Sequence, residues 1–324
     1  MVGWRVIISR ASQPNTVNLK PQTSNLKPQT YMNPTVTCFG EILWDVLPTS
    51  KQPGGAPMNV AADLRNFGLN AQLISRVGSD DLGRELIDFL ANKGIPTQLV
   101  QVGQTHLTGV AKANISDSNE VTYKILQPVA WDYIMPEPGL TEVVKQSDVF
   151  VYGSLAARSQ QTHETLLALL DVAPHKVFDV NLRAPHYNQQ TVEELLHKAD
   201  IAKLNEHELV ELSGWYGHET DLQQAMQQLR QRYQLETLCV TLGPDGAAML
   251  NASGFTKQAG FPVEVADTIG SGDAFLAGFL YKMLQGETPQ KTLEFACATG
   301  AFVATKQGAT PSFTEKVILE QSFF

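Results

Sequence analysis

The chain has 324 residues, of which 43% are hydrophobic and 8% aromatic, and its formal net charge at pH 7 is -9. This length and apolar content suffice for one large α/β domain or two medium ones with a full core. Lys and Arg residues are scattered and no run of 18 apolar residues occurs, so neither nucleic acid nor a membrane is expected as a partner.

Residues 1–34 differ in composition from the rest of the chain. They are rich in Pro, Asn, Gln, Ser and Thr, and they contain one six-residue unit twice, at 18–23 and 25–30. Because a segment with so little apolar material cannot offset the entropy of ordering, we expect a disordered N-terminal extension. Its apolar run Val6-Ile7-Ile8 is too short for a signal-peptide core, and Met32 is a candidate initiator.

From residue 35 onwards, β-type and helical segments alternate. Short β-rich runs are predicted at 36–39, 71–75, 149–152, 177–180, 201–204 and 238–241. Helices are predicted at 58–67, 81–93, 162–170, 206–212, 222–232, 272–284 and 289–306. This alternation favours an α/β fold with a mostly parallel sheet that is covered on both faces.

Residues 105–126 follow a different pattern. Two alternating stretches, 109–115 and 121–125, flank the turn-forming residues 116–119, and this spacing predicts a β-hairpin. A hairpin inserted into an α/β domain fits a small lid over a cleft, and a plain surface hairpin fits the same pattern.

The strongest functional signal is the run 267–273, Asp-Thr-Ile-Gly-Ser-Gly-Asp, which leads into an apolar helix. Two glycines at a helix start let the backbone approach a ligand closely, so that unpaired N–H groups attract an anion. Asp273 stands in the same first turn, where a carboxylate can accept a proton from a hydroxyl while those amides hold a phosphoryl group. The helix N-terminus favours the ionised carboxylate, so this role does not require a raised pKa. The run indicates a kinase for small alcohols, and an ordinary Gly-Ser-Gly loop is the alternative.

Two segments near the N-terminus are candidates for sugar binding. Asp45 follows the first strand, and one carboxylate can accept two hydroxyl donors, which suits a polyol. Gly54 and Gly55 precede a helix on which Asn59 offers both a donor and an acceptor. A solvated loop Asp and a plain Gly-Gly turn are the corresponding structural alternatives.

Two later strand ends also carry polar groups. If the extended form persists, Asp179, Asn181 and Arg183 share one face, from which Arg183 either reaches a phosphate or forms an ion pair with Asp179. Asn205 and Glu208 have the spacing of a capping box at a helix start. Glu208 is also suited to placing Mg2+ through water, because this ion keeps several waters and binds few protein carboxylates.

A further turn and several missing signatures complete the pattern. The turn with Thr241, Gly243 and Gly246 could cover a nucleotide phosphate or base, although by itself it is only a turn. The P-loop signature and G-x-G-x-x-G are both missing from the sequence. The cysteines, Cys38, Cys239 and Cys297, are odd in number and far apart, so a reducing cytoplasm is expected.

Taken in chain order, six motifs resemble the PfkB (ribokinase-like) carbohydrate kinase family. They are Gly-Glu-x-x-x-Asp (40–45), Gly-Gly-Ala-Pro-x-Asn (54–59), Asp-x-Asn-x-Arg (179–183), Asn-x-x-Glu (205–208), Thr-x-Gly (241–243) and Asp-Thr-x-Gly-Ser-Gly-Asp (267–273). The resemblance extends from about residue 36 to 312, and its details at 39–42, 54–57 and 178–183 are similar to the fructokinase branch. It implies a ribokinase-like three-layer sandwich over 35–324, with a mostly parallel central sheet and a small β lid from about 46–53 and 105–126.

The resemblance also implies roles for individual residues. Asp273 would be the catalytic base, and the backbone of Gly270, Ser271 and Gly272 the anion hole. The sugar positions are Asp45, Gly54, Gly55, Asn59 and Arg183, of which Arg183 faces the sugar or the phosphates. The positions for ATP and Mg2+ are Asn205, Glu208, Thr241, Gly243 and Gly246. The family often holds K+, and the matching positions are Asp267, Ile269, Val303, Gly308 and Ser312. Met58 stands where a smaller residue is usual.

We therefore expect an ATP-dependent kinase that converts fructose to fructose 6-phosphate. A kinase for 2-keto-3-deoxygluconate or a ribose-like sugar is the alternative, because lid and pocket shape set hydroxyl selectivity. A non-catalytic relative and a Rossmann oxidoreductase are the alternatives from other classes. A cytoplasmic location and a homodimer through the lid edge are also expected.

Overall fold

The computed structural model describes residues 34–46, 50–115, 121–217 and 219–321. The expected extension, apart from Pro34, lies outside the described residues, as do the candidate initiator Met32 and the hairpin turn 116–119. Within the described part, no helix is long and apolar enough to cross a membrane.

The described strands and helices alternate as predicted from residue 35. The strands are β1 (Thr35–Phe39), β2 (Leu43–Val46), β3 (Lys51–Gly54), β4 (Asn70–Gly78), β5 (Val100–Gly103), β6 (Gly109–Ile115), β7 (Val121–Ile125), β8 (Val149–Gly153), β9 (Lys176–Asp179), β10 (Ile201–Asn205), β11 (Thr237–Thr241), β12 (Ala247–Asn251) and β13 (Gly254–Gln258). The α-helices are α1 (Ala56–Asn66), α2 (Asp81–Asn92), α3 (Leu140–Lys145), α4 (Gln160–Leu170), α5 (Gln189–Lys198), α6 (Glu206–Gly214), α7 (Leu222–Tyr233), α8 (Ser271–Leu284), α9 (Pro289–Ala304) and α10 (Glu315–Leu319).

Nine strands form the main sheet, in the order β13-β12-β11-β10-β9-β8-β1-β4-β5. The strands from β11 to β5 are parallel, and β12 and β13 continue the sheet in antiparallel pairing. All five residues of β8 are buried, as expected for a parallel strand with both faces covered. Because seven strands run the same way, their carboxyl ends meet at one edge, where ligands bind in such folds.

Helices cover both faces of this sheet and so complete the predicted three-layer arrangement. One buried cluster joins the sheet to α1, α2, α8, α9 and α10. A second cluster on the opposite face joins it to α3, α4, α5, α6 and α7. The predicted helices that end near glycine do so, with positive φ at Gly68 (+80°) and Gly94 (+71°).

Four strands form a separate small sheet, in the order β3-β2-β6-β7. The antiparallel pairing of β6 with β7 confirms the predicted hairpin. The chain of β2 and β3, between β1 and α1, adds the other two strands. The Nε1 of Trp44 on β2 donates to the carbonyl of Leu82 on α2 (3.0 Å), and this bond ties the small sheet to the body of the fold.

Candidate active site

A cleft of about 1030 Å³ lies at the carboxyl ends of the parallel strands, and this volume is at the upper end of the range usual for small-molecule sites. Six residues that the sequence singled out line it: Asn205, Thr241, Gly243, Gly246, Ser271 and Gly272. Its remaining wall is largely apolar and includes Phe261, Val263 and Ala301. The structure thus brings together three of the predicted turns, which are more than 60 residues apart in sequence at their extremes.

The start of α8 has the geometry of an anion site. Gly270 is the N-cap with φ +78°, and a Cβ there would lie 2.6 Å from the Cα of Ala309, so only glycine fits. The Ser271 hydroxyl donates to the carbonyl of Gly300 (3.0 Å), and the Ser271 N–H donates to the carbonyl of Thr268 (3.3 Å). The N–H groups of Gly272 and Asp273 have no acceptor within the helix. Two backbone donors therefore remain for an anion.

Asp273 belongs to this first turn of α8 and is tied by its side chain to α1. Its Oδ2 accepts a hydrogen bond of 2.8 Å from Nδ2 of Asn59 on α1, although the two residues are 214 positions apart. Burial, followed by the nearby carboxylate of Asp179, raises the pKa of Asp273 to about 6, against the lowering effects of Lys203 and of the Asn59 hydrogen bond. Burial therefore dominates over the effect of the helix N-terminus, and the carboxyl is still mostly ionised at neutral pH.

The Gly-Gly turn before α1 is shaped by close approaches. A Cβ on Gly54 would lie 2.2 Å from Oδ2 of Asp45, and a Cβ on Gly55 would lie 2.4 Å from the Glu41 carbonyl. The φ of Gly55 is +114°, which also favours glycine. Gly54 therefore leaves room for the Asp45 carboxylate, and Gly55 for the backbone of Glu41. Burial raises the pKa of Asp45 to about 6, which the Arg183 charge opposes and Asp267 reinforces.

The segment after β9 differs from the sequence-based prediction. The predicted common face of Asp179, Asn181 and Arg183 is wrong, because β9 ends at Asp179 and Asn181 has φ +39°. Arg183 is exposed and donates to the carbonyl of Leu182 (3.1 Å), while Asp179 pairs with Lys203 instead. The positive charge of Arg183 nevertheless lowers the pKa of Asp45 and of Asp273, so it lies over the same site.

Asn205 and Glu208 form the capping box that their spacing predicts. The Oδ1 of Asn205 accepts from the Glu208 N–H (2.9 Å), and Oε2 of Glu208 accepts from the Asn205 N–H (2.8 Å). The other oxygen of Glu208 accepts from the Leu182 N–H (2.8 Å), and the residue is buried. Both oxygens already have backbone donors, so any contact of Glu208 with Mg2+ would use remaining lone pairs or a water molecule.

Three of the residues predicted to hold K+, namely Asp267, Ile269 and Gly308, are joined by hydrogen bonds beside the start of α8. Asp267 accepts from the N–H of Ile269 (3.0 Å) and from the N–H of Gly308 (3.3 Å), so its carboxylate joins the two loops. The Val303 carbonyl accepts from the Lys306 N–H (2.9 Å), and Ser312 is exposed. Carboxylate and carbonyl oxygens suit a hard cation. Among the described residues, no group of three or more His, Cys, Asp and Glu side chains could hold a metal ion.

Lys203 and Glu41 are buried charged residues of this region that were not predicted as site residues. Lys203 on β10 forms an ion pair with Asp179 below the start of α8. Glu41 is also buried, its Oε1 accepts from the Ala56 N–H (3.2 Å), and burial raises its pKa to about 7. The sequence signal for Lys203 was its place inside an otherwise apolar strand, because Lys is rarely buried unless it is paired.

The cradle of N–H groups, the adjacent carboxylate and the large cleft at the strand ends together define a small-molecule kinase. The model of the pfkB family carbohydrate kinases matches residues 32–316 of the chain. The chain therefore belongs to this family and is a carbohydrate kinase.

Relatives and solved structures agree with this assignment. The chain is 28% identical over 312 residues to a fructokinase of Salmonella typhimurium. The matched region covers 90% of this chain and 100% of that relative. A fructokinase of Xylella fastidiosa, solved with bound ATP, superposes with a TM-score of 0.78 at 25% identity, over 88% of this chain and 97% of that one. A fructokinase of Vibrio cholerae O395, solved with fructose, ADP and calcium ion, superposes with a TM-score of 0.76 at 23% identity. This match covers 88% of this chain and 98% of that one. The ribokinase-like fold is thereby confirmed.

Proposed function

We propose that the protein transfers the γ-phosphoryl group of ATP to fructose and forms fructose 6-phosphate. The observation that carries this proposal is the 2.8 Å hydrogen bond between Asn59 and Asp273. It joins α1, which follows the sugar-side glycines, to the first turn of α8, which faces the large cleft. The fructokinase names of relatives at 28% identity support fructose as the acceptor.

In this proposal, the sugar lies between the small sheet and α1. Asp45, held over Gly54, accepts hydroxyl donors, and Asn59 and Arg183 complete the contacts. The buried amide oxygen of Asn59 has no hydrogen-bond partner in the structure, so it is available for a sugar hydroxyl. The small sheet would act as the lid, because β2 and β3 carry Asp45 and lead directly into the Gly-Gly turn.

The chemical step needs alignment and charge neutralisation more than a strong base. The acceptor oxygen forms a bond to the γ-phosphorus as the bond to the bridging oxygen of ADP breaks. Asp273 accepts the proton of the acceptor hydroxyl, and its pKa of about 6 leaves it ionised at neutral pH. The N–H groups at the start of α8 donate to the phosphoryl oxygens throughout.

Two cations are part of the proposal. Mg2+, bound with ATP, would neutralise phosphate charge, with Asn205 and Glu208 contacting its water shell or the phosphates. K+ would occupy the oxygens around Asp267 and the carbonyl groups of Ile269, Val303 and Gly308, with Ser312 beside them. Bound there, it would add positive charge next to the N–H cradle of α8.

We further propose a cytoplasmic location and a homodimer that pairs along the edge of the small sheet. The buried free thiols of Cys38, Cys239 and Cys297 are consistent with a reducing compartment. The edge strands β3 and β7 leave unpaired backbone groups on the small sheet, to which a second copy could add. Light scattering after size exclusion checks the dimer, and a monomer at all concentrations would contradict it.

An ADP-release assay over a panel of sugars tests the function. We expect fructose to give the highest kcat/KM among fructose, other ketoses, aldoses, 2-keto-3-deoxygluconate and nucleosides, with higher activity in K+ than in Na+. A preference for 2-keto-3-deoxygluconate or for ribose would show that the acceptor is not fructose, and the protein would still be a kinase. A folded protein that binds sugar and ATP but releases no ADP with any acceptor would leave the non-catalytic alternative.

A further inference from the structure

A buried ion pair lies directly below the proposed phosphoryl site. The Nζ of Lys203 on β10 is 3.1 Å from Oδ1 and 3.3 Å from Oδ2 of Asp179, the last residue of β9. The two side chains are only 8% and 5% exposed. Because removing two charges from water costs several kcal/mol per ion, such a pair is weak evidence for a role in stability alone.

The ammonium group of Lys203 points towards the start of α8. A Cβ on Gly272 would lie 3.3 Å from Nζ of Lys203, so the charge lies just behind the first turn. Lys203 is paired in register with Cys239, which belongs to the core cluster on the α8 side of the sheet. The neighbouring Leu204 faces the opposite cluster. The alternation of the strand therefore fixes the side chain of Lys203 on the face that carries Asp273.

Three charged residues shift the pKa of Asp273: Asp179 on β9, Lys203 on β10 and Arg183 after β9. Two further carboxyls, Glu41 after β1 and Asp63 on α1, lie close enough for the charge of Asp273 to raise their own pKa values. Among the first three, the negative Asp179 raises the pKa of Asp273, and the positive Lys203 lowers it. The ion pair thus presents two opposite charges to the same carboxyl, and their effects add to that of burial, which is the largest cause of its raised pKa.

We propose that Lys203 and Asp179, the buried ion pair directly behind the first turn of α8, are a positioning pair for the catalytic base Asp273. Through their opposite charges, Lys203 favours the ionised form of this carboxyl and Asp179 limits that effect. The inference rests on the proposed role of Asp273. In the reaction, Asp273 gains the proton of the acceptor hydroxyl and must release it to water before the next turnover. A base held between opposite charges can do both near neutral pH.

Single neutral substitutions separate this role from a structural one. Lys203→Met leaves Asp179 uncompensated, so the acid limb of the pH profile of kcat/KM is expected to move up by about 1 pH unit. Asp179→Asn leaves Lys203 uncompensated, and the limb is expected to move down by about as much. Lys203→Arg keeps the charge and is expected to stay near the wild-type limb. A merely structural pair would lose activity in both variants without moving the limb in opposite directions.

The chain offers a matched control on the same two strands. Lys176 begins β9 and pairs with Asp200, which precedes β10, at 3.0 Å and with both side chains 17% exposed. This pair lies at the amino ends of the strands, away from the start of α8. Lys176→Met and Asp200→Asn are expected to leave the acid limb in place.

A direct titration keeps the inference separate from the proposed function. The side-chain carboxyl signal of Asp273, assigned with Asp273→Asn in protein labelled with carbon-13 at aspartate, reports its protonation without turnover. Opposite displacements of this titration in Lys203→Met and Asp179→Asn support the pair, even if no sugar is phosphorylated and the proposed function fails. If Lys203→Met does not fold, the same comparison is made between Asp179→Asn and the double variant, in which the limb and the titration should return upwards. No displacement, or displacement in one direction for both partners, overturns the inference.

Discussion

The position of Asp273 is set by one hydrogen bond to its side chain and by the place of its backbone in α8. The hydrogen bond from Asn59 fixes its Oδ2, and its place in the first turn of α8 sets its backbone beside the N–H groups of the cradle. A base within hydrogen-bonding reach of the reacting hydroxyl is the first requirement for proton transfer, and a suitable pKa is the second. The structure meets the second with a carboxyl whose pKa is about 6.

Replacement of this carboxyl should slow phosphoryl transfer strongly and leave sugar binding nearly unchanged. In Asp273→Asn, the hydrogen bond from Asn59 can be retained by the amide oxygen, but no group accepts the hydroxyl proton. We expect kcat to fall by about 10²–10⁴-fold, with the Kd for sugar changed only slightly. Steady-state kinetics and calorimetric sugar binding measure the two effects. Asp171→Asn, which changes an exposed carboxylate that pairs with Lys198, is the control, and a variant at 273 that keeps most of its kcat would refute the base assignment.

The same substitution should stabilise the fold in a pH-dependent way. The folded-state pKa of Asp273 is raised from 3.8 to about 6, so between these values the folded protein holds a proton that the unfolded chain has released. Wild-type stability therefore falls as pH rises through this window, and the loss is complete above it. Asp273→Asn has no such loss, so its free energy of unfolding at pH 7.5 should exceed that of wild type by about 1–3 kcal/mol. Urea unfolding at pH 4 and 7.5 tests this, and an equal difference at both pH values would contradict it.

At the scale of elements, α1 is bounded by two glycines with positive φ that differ in their surroundings. Gly55 precedes the helix at φ +114°, and an added Cβ would meet the Glu41 carbonyl at 2.4 Å. Gly68 follows the helix at φ +80°, and an added Cβ would meet nothing within 4 Å. The two positions share backbone strain, and only Gly55 adds a clash.

This contrast gives a matched pair of substitutions. Gly68→Ala should lower the free energy of unfolding by about 1 kcal/mol, which is the cost of the left-handed conformation. Gly55→Ala should lower it by about 3 kcal/mol or more, because the Gly-Gly turn must also move away from the backbone of Glu41. Chemical denaturation of both variants measures the difference. Equal losses would show that the close approach at Gly55 is relaxed in solution.

The sequence predicted the elements that have strong periodicity or clear caps, and it missed those whose form depends on partners. The buried strands around β8 and the helices that end at Gly68 and Gly94 were found to within a few residues. The short polar strands β3 and β13 were not, because pairing and not propensity makes them strands.

The same reason explains the outcome for the candidate site. The motif that contains Asp273 could be recognised in the sequence, because a Gly-rich turn before an apolar helix is a local pattern. The ion pair of Lys203 with Asp179 was not, because it joins two strands and no local pattern marks it. We predicted that Asn181 lies on an extended face, because its neighbours in sequence are β-forming residues. Its φ is +39°, and nothing in those neighbours indicates this conformation.

At the scale of the molecule, each of the two sheets carries a different part of the proposed site. The main sheet gathers the cleft and the start of α8 at its carboxyl edge, and the small sheet brings Asp45 over the Gly-Gly turn. Gln52 on β3 also lies against Gly308, since a Cβ added to Gly308 would be 2.7 Å from Oε1 of Gln52. The small sheet therefore also contacts the proposed K+ site, to which Gly308 belongs. Movement of the small sheet would alter the sugar site and the K+ site together.

Nucleotide binding should stabilise the whole molecule, since the cleft is formed by turns from distant parts of the chain. A ligand present at 100 times its Kd stabilises the folded state by about 2.7 kcal/mol, which corresponds to a rise in Tm of about 5 °C for a domain of this size. We expect this rise with Mg-ADP and none with NADH. Ala301→Trp fills the apolar part of the cleft and should remove the ADP effect, whereas Ala252→Trp, at the exposed turn between β12 and β13, should retain it. A rise with ADP that survives in Ala301→Trp would place the nucleotide elsewhere, and a rise with NADH alone would contradict the assignment of the cleft to ADP.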